Sequence, residues 1–103
     1  MSILREWRAE IHRATSAAYV KYVQDTGIVE YRSTPGNLGA VVALRDIDES
    51  RSEIVTLSWW TSMDAIQAFA ADPQDRARYF PDDDRYLLTR PDHVHHYRSS
   101  DIG

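Results

Sequence analysis

Residues 53–60 read EIVTLSWW. Alternation puts Ile54, Thr56, Ser58 and Trp60 on one face of a strand, and Val55, Leu57 and Trp59 on the other. Both faces carry large apolar side chains, so both need cover. Residues 40–44 repeat the pattern upstream, with Val41 opposing Val42 and Leu44. The two runs, over 37–47 and 53–60, are joined around DIDESRS and read as an antiparallel hairpin with a loop of several residues.

Outward from that hairpin the periods change twice on each side. Residues 3–11 alternate, with Ile3, Arg5, Trp7, Ala9 and Ile11 on one face and Glu6, Arg8 and Glu10 on the other, which predicts a first strand. From Thr15, a possible N-cap, the residues Ala18, Tyr19, Tyr22, Val23, Thr26 and Val29 recur in steps of three and four, the stripe of an amphipathic helix. Gly27 weakens that helix locally, and STPGN (33–37) is a turn by composition. Downstream, Thr61 followed by Asp64 is a capping-box pattern before a helix with Ala65, Ile66 and Phe69 on its apolar side. Asp72-Pro73 restarts a helix, Phe80-Pro81 breaks it, and 82–88 form a short helical turn. Pro91 opens a final strand over 92–99.

The order β-α-β-β-α-β predicts an α+β, ferredoxin-like fold: a four-stranded antiparallel sheet with two helices on one side, one domain over 1–103. Two helices cover only one sheet face. The other, read as carrying Trp59, Leu57, Leu44 and Val42, would be an apolar patch larger than monomers tolerate, so a homodimer packed sheet to sheet is expected.

Composition narrows the function classes. Hydrophobic residues make up 43% and charged residues 27%, a globular balance rather than a disordered one. A net charge of −4 with scattered signs argues against nucleic acid, which needs a clustered basic surface. With no cysteine, disulfides, thiolate metal sites and cysteine nucleophiles are excluded. The start MSILREWRAE reaches charge at Arg5 and does not read as a signal peptide. No apolar run approaches the ~20 residues of a membrane span, so neither a membrane nor a nucleic acid is an expected partner, and a cytoplasmic setting is expected.

Three segments carry a family resemblance: TGIVEYRSTPGNLGA (26–40), LSWWTSMDAIQAFAADPQDRARYFPDDDRYLL (57–88) and VHHY (94–97). They resemble the antibiotic-biosynthesis-monooxygenase group of the dimeric α+β barrel superfamily, over residues 5–97. The resemblance implies two ferredoxin-like subunits whose sheets meet in a barrel, with a pocket between each sheet and its own helices. Members of that group include monooxygenases that oxidise electron-rich aromatics without metal or flavin, haem-degrading proteins, small isomerases and lactone-forming enzymes. The haem-degrading members carry an asparagine on the first strand, a histidine in the second helical region and a tryptophan on the third strand. Trp60 matches the tryptophan, but the first strand has no asparagine and residues 61–90 contain no histidine.

Thr56, Ser58 and Trp60, small polar residues beside a large ring, suit a cavity wall, or alternatively a core with locally satisfied hydroxyls. Arg5 beside Trp7 could hold an anionic phenolate, enolate or carboxylate, or form a salt bridge. Tyr19, Tyr22 and Tyr79 could donate to ligand oxygens or simply fill space. The run Asp82-Asp83-Asp84 fits capping better than a magnesium site. In HVHHY (93–97), alternation sends His93, His95 and Tyr97 one way and Val94, His96 and Arg98 the other. His93 and His95 lack further ligands at a suitable spacing, so no metal is expected. The resemblance matches His96 and Tyr97 to the histidine–tyrosine pair ending the family's last strand. The expected site therefore has His96 as base and Arg5 and Tyr79 holding an anion. Trp7, Tyr19, Tyr22, Thr56, Ser58, Trp60 and Phe69 line it, and no cofactor is called for. The competing expectation is a protein that binds a small hydrophobic ligand without turnover.

Overall fold

The computed structural model describes residues 2–70 and 75–100. Its four strands are β1 (Ser2–His12), β2 (Asn37–Asp46), β3 (Arg51–Trp60) and β4 (His95–Ser99), in the sheet order β2-β3-β1-β4 with antiparallel neighbours throughout. Helices α1 (Ser16–Val23) and α2 (Val29–Ser33) connect β1 to β2, and α3 (Met63–Ala70) follows β3. This is the α+β ferredoxin-like arrangement, and the alternation in β1 and β3 has a direct physical basis. The face with Arg5, Trp7, Ala9, Ile11, Ile54, Thr56, Ser58 and Trp60 is buried beneath the helices, while the intervening residues of β3 are half-buried.

Register corrects one face. Val42 pairs with Thr56 and Leu44 with Ile54, so both lie on the helix side. The open face carries Val41 opposite Leu57, Ala43 opposite Val55, and Leu4 between Trp59 and Tyr97. The two faces of β2 are almost equally apolar, so composition gives no direction. Pairing fixes it, through a register shift between Asn37 and Gly39.

The first helical segment corrects a second expectation. Between α1 and α2 the chain makes a π turn, Gln24–Ile28. That wider turn rotates everything after it, so the inward residues run Tyr19, Val23, Ile28 and Tyr31. Val29 instead points outward at 55% exposure, and Ala18 is exposed as well. Gly27 lies inside the π turn, and the helix continues past it to Ser33. Thr15 makes no side-chain cap; its hydroxyl reaches back to the His12 carbonyl.

At the start of α3 the cap is Ser62, whose Oγ accepts from the Ala65 N–H at 3.2 Å, rather than Thr61. Thr61 instead donates its backbone N–H to Gly36 O at 2.9 Å, tying the β2 entry to the end of β3. Gly36 has φ 92°, and a Cβ there would sit 2.5 Å from the Ala65 Cβ, so this crossing admits only glycine. The Asp72-Pro73 helix start lies outside the described residues. Residues 75–80 are not helical: Arg76 forms a bridge with His93, which holds this segment against the approach to β4. The 82–88 stretch contains a 3-10 turn, Asp83–Arg85, and β4 begins at His95 rather than at residue 92.

Candidate functional site

Between the sheet and its helices lies a cleft floored by Arg5, Trp7 and Thr56 and walled by Tyr19, Tyr31, Phe69, Phe80 and Asp83. Counted to its open mouth it encloses about 410 Å³, but only about 30 Å³ of that admits a water centre. The smaller figure is the one that decides occupancy: it is room for about two waters. An aromatic ligand enters only if the side chains at the mouth move.

Arg5 is set in the floor by strand alternation and is 1% exposed. Its Nη1 lies 3.1 Å from His96 Nε2, and its Nη2 donates to the Arg76 carbonyl at 3.0 Å. The Phe69 ring lies 5.7 Å from the guanidinium carbon. Burial lowers the Arg5 pKa from its ordinary value, while the Tyr31 hydroxyl and the Asp75 carboxylate counter that. A guanidinium has only donors, so His96 Nε2 is the acceptor and its proton sits on Nδ1. Burial, and then the Arg5 charge, lower the His96 pKa, which keeps the imidazole neutral at pH 7. The two residues come together because β1 and β4 pair Arg5 directly with His96.

The opposite wall is anchored by Asp83, 5% exposed. Its Oδ1 accepts from the Tyr19 hydroxyl at 3.0 Å and its Oδ2 from the Phe80 N–H at 2.6 Å. Burial raises the Asp83 pKa, partly offset by those two donors. Burial and the neighbouring carboxylate hold the Tyr19 phenol well above its ordinary value, so Tyr19 remains a donor. The central aspartate of the acidic run thus reaches back to the Phe80 N–H and faces the cleft, whereas Asp82, at the N-cap of the 3-10 turn, makes no side-chain cap, so the expected capping role is corrected.

Trp60 is fully buried. Its Nε1 donates to Ser58 Oγ at 2.8 Å, and its ring packs behind Tyr31 and Phe69 at centroid distances of 5.9 and 6.1 Å. Trp60 and Ser58 therefore support the wall from behind rather than forming it. Tyr22 stands outside as well, stacked on Tyr19 and accepting the Asp82 N–H. Tyr79 receives the Trp7 Nε1–H at 3.3 Å and gives its own proton to the Pro91 carbonyl, so its hydroxyl fixes the Trp7 ring and is engaged on both sides. His95 lies on the opposite sheet face, 3.9 Å from Glu6. Among the described residues no three His, Asp or Glu side chains gather as a metal set.

Sequence reasoning missed Tyr31, Asp83 and Arg78 as parts of the cleft. Arg78 stands at the mouth between the Phe69 and Phe80 rings, at 4.9 and 5.0 Å, and pairs with Glu30 at 2.8 Å. Its flanking aromatics were the available signal. Tyr31 was hidden by the π turn, which no periodicity announces.

A ferredoxin-like sheet with a cleft under its helices defines an α+β class with many chemistries. Among solved structures, the chain is similar to a Bacillus cereus protein proposed to be an antibiotic biosynthesis monooxygenase. The TM-score is 0.68 at 18% identity, covering 99% of this chain and 98% of that one. It is also similar to Rv0793 of Mycobacterium tuberculosis, with TM-score 0.62, 18% identity and coverage of 99% and 98%. The chain has the fold of these proteins. No family model matches the sequence, and neither does any curated protein. Among the described residues no helix is long and apolar enough to cross a membrane.

Proposed function

We propose that the cleft binds a small aromatic or otherwise enolisable compound as its anion and presents it to dioxygen, a cofactor-independent monooxygenation. The observation that carries this reading is Arg5: a cation 1% exposed, set among aromatic rings in the cleft floor. A buried guanidinium in such a site stabilises an oxyanion far more than one in water does. His96 is the base in this scheme. When Arg5 turns to the ligand oxygen, its Nη1 leaves His96 Nε2, and the freed lone pair takes the substrate proton. The carbanion then reduces dioxygen. A ring CH2 becomes a carbonyl, the second oxygen atom leaves as water, and all four electrons come from the substrate. Tyr79 acts through the orientation of Trp7.

Oxygen uptake with a panel of phenols and anthrone-like compounds tests the proposal. Uptake is expected to fall at least about a hundredfold in His96→Ala; an unchanged rate removes His96 as base. The engaged Nε2 of His96 and hydroxyl of Tyr79 favour a second reading, binding without turnover. Tight binding with no oxygen uptake by the wild type would select it.

We also infer a homodimer through the open face. Leu4, Val41, Leu57, Trp59 and Tyr97 form a contiguous apolar area there, with Val41 and Tyr97 at 44% and 47% exposure. Sedimentation at micromolar concentration tests it; a monomer overturns it.

A further inference from the structure

The cleft has two polar poles, and they do not serve each other. Arg5 answers to His96, the Arg76 carbonyl, Tyr31 and Asp75. Asp83 answers to Tyr19 and the Phe80 N–H, with Arg90 and Asp84 as further charged neighbours. Trp7, two residues beyond Arg5 on β1 and about 7 Å along the strand, lines the same cleft, and Tyr79 locks its ring. At the first pole the cleft lining presents the Arg5 guanidinium, a group with N–H donors only, while at the second Asp83 presents a carboxylate, an acceptor. A carboxylate oxygen accepts more than one hydrogen bond, so each Asp83 oxygen keeps capacity after Tyr19 and Phe80 are served.

From this polarity we propose that Asp83 is a specificity-determining acceptor, selecting aromatic ligands with an acidic oxygen at one end and a hydroxyl donor at the other. The inference rests on the cleft being the ligand site, and it deepens that reading by naming the substrate class: a hydroxyaryl acid, enol or quinol rather than a ring with one polar end. Arg5 fixes the anionic oxygen, Trp7 underlies the ring, and the distal hydroxyl donates to Asp83. A ligand of the same shape without that hydroxyl leaves the buried carboxylate facing a methyl group. The hydroxyl compound gains a further hydrogen bond to the carboxylate that the methyl compound cannot make, and loses its own hydration only against that gain.

The test is titration of 4-hydroxybenzoate and of 4-methylbenzoate, its near-isostere, followed by tryptophan fluorescence and calorimetry. The wild type is expected to favour the hydroxyl compound by about tenfold or more, and Asp83→Asn is expected to bring the two within about twofold. Tyr19→Phe removes the competing donor and is expected to keep or enlarge the preference. If Tyr19→Phe abolishes it, the acceptor is the tyrosine and the proposal fails. Equal binding of both compounds to the wild type overturns the proposal while leaving the cleft as a ligand site. Binding of neither overturns both. The wild-type comparison needs no substitution, so a poorly folding Asp83→Asn does not shield the idea.

Discussion

Trp59 and Trp60 are neighbours in sequence and opposites in environment. Trp60 is fully buried, its indole N–H bound to Ser58 and its ring packed against Tyr31 and Phe69. Trp59, one residue earlier, stands half-exposed on the open face between Leu4 and Gly39. The same side chain thus does two jobs through strand parity alone. On the helix face it braces the cleft wall from behind; on the other it forms part of an apolar surface still to be covered. The faces differ in their charges too. The helix face buries Arg5 with specific partners, whereas the open face keeps Glu6, Arg8, Arg45 and Glu53 in surface ion pairs.

The largest effect that separates the two is Trp60→Ala, expected to lower folding stability by about 3–5 kcal/mol. The cavity forms inside an aromatic cluster that cannot collapse, and urea unfolding measures it. A loss under about 1 kcal/mol would mean that Tyr31 and Phe69 close over the gap and that the wall is soft. Trp59→Asp tests the other face. Monomer folding is expected to survive, while dimerisation weakens at least about a hundredfold because a carboxylate is placed in an apolar contact. Sedimentation across a concentration series reads this. If Trp59→Asp instead unfolds the chain, the open face belongs to the fold itself.

A smaller effect concerns the buried polar side alone. His96 has a pKa below its ordinary 6.5 in the folded protein because of burial and the Arg5 charge. The unfolded chain therefore takes up the proton first as pH falls. Stability contributed by neutral His96 is present above about 6.5 and is lost as pH drops through that value toward the folded pKa. Thermal unfolding between pH 7.5 and 5 is expected to show this loss, and His96→Gln is expected to reduce it. An identical pH slope in His96→Gln would place the titrating group elsewhere.

The strand faces of β1 and β3 were legible because a period of two leaves no freedom: one residue in, one residue out. Arg5 could be named as buried beside Trp7 for the same reason. Its partner His96 was named separately, but their meeting depends on the β1–β4 register, which neither segment encodes by itself. The direction of Val42 and Leu44 failed for a related cause, since both faces of β2 are apolar and pairing chooses between them. Tyr31 was lost to the π turn, where one extra residue per turn rotates a stripe that reads as regular. Asp83 sat in plain view within an acidic run, yet only the packing of the 3-10 turn under α1 distinguishes it from exposed Asp82 and Asp84. Local periodicity is written in the chain, and long-range register is not.

The smallest effect asks where the apolar part of the open face ends. Glu53 pairs with Arg8 at 2.7 Å and with Arg45 at 3.2 Å, and it lies directly opposite Glu10 on β1. Both arginines are substantially solvent-exposed, so water screens the pairs and Glu53→Gln is expected to cost less than about 1 kcal/mol, diminishing further in high salt. Along β3 the sequence runs from Glu53 through Val55 and Leu57 to Trp59, so charge lies at one end of the face and apolar area at the other. If the sheets meet over the apolar end, Glu53 sits at the rim and Glu53→Gln leaves the dimerisation constant within about twofold. A tenfold loss would instead place the charged row inside the contact. There its ion pairs would be desolvated, and two sheets meeting across their whole faces, rather than at one end, would be the better description.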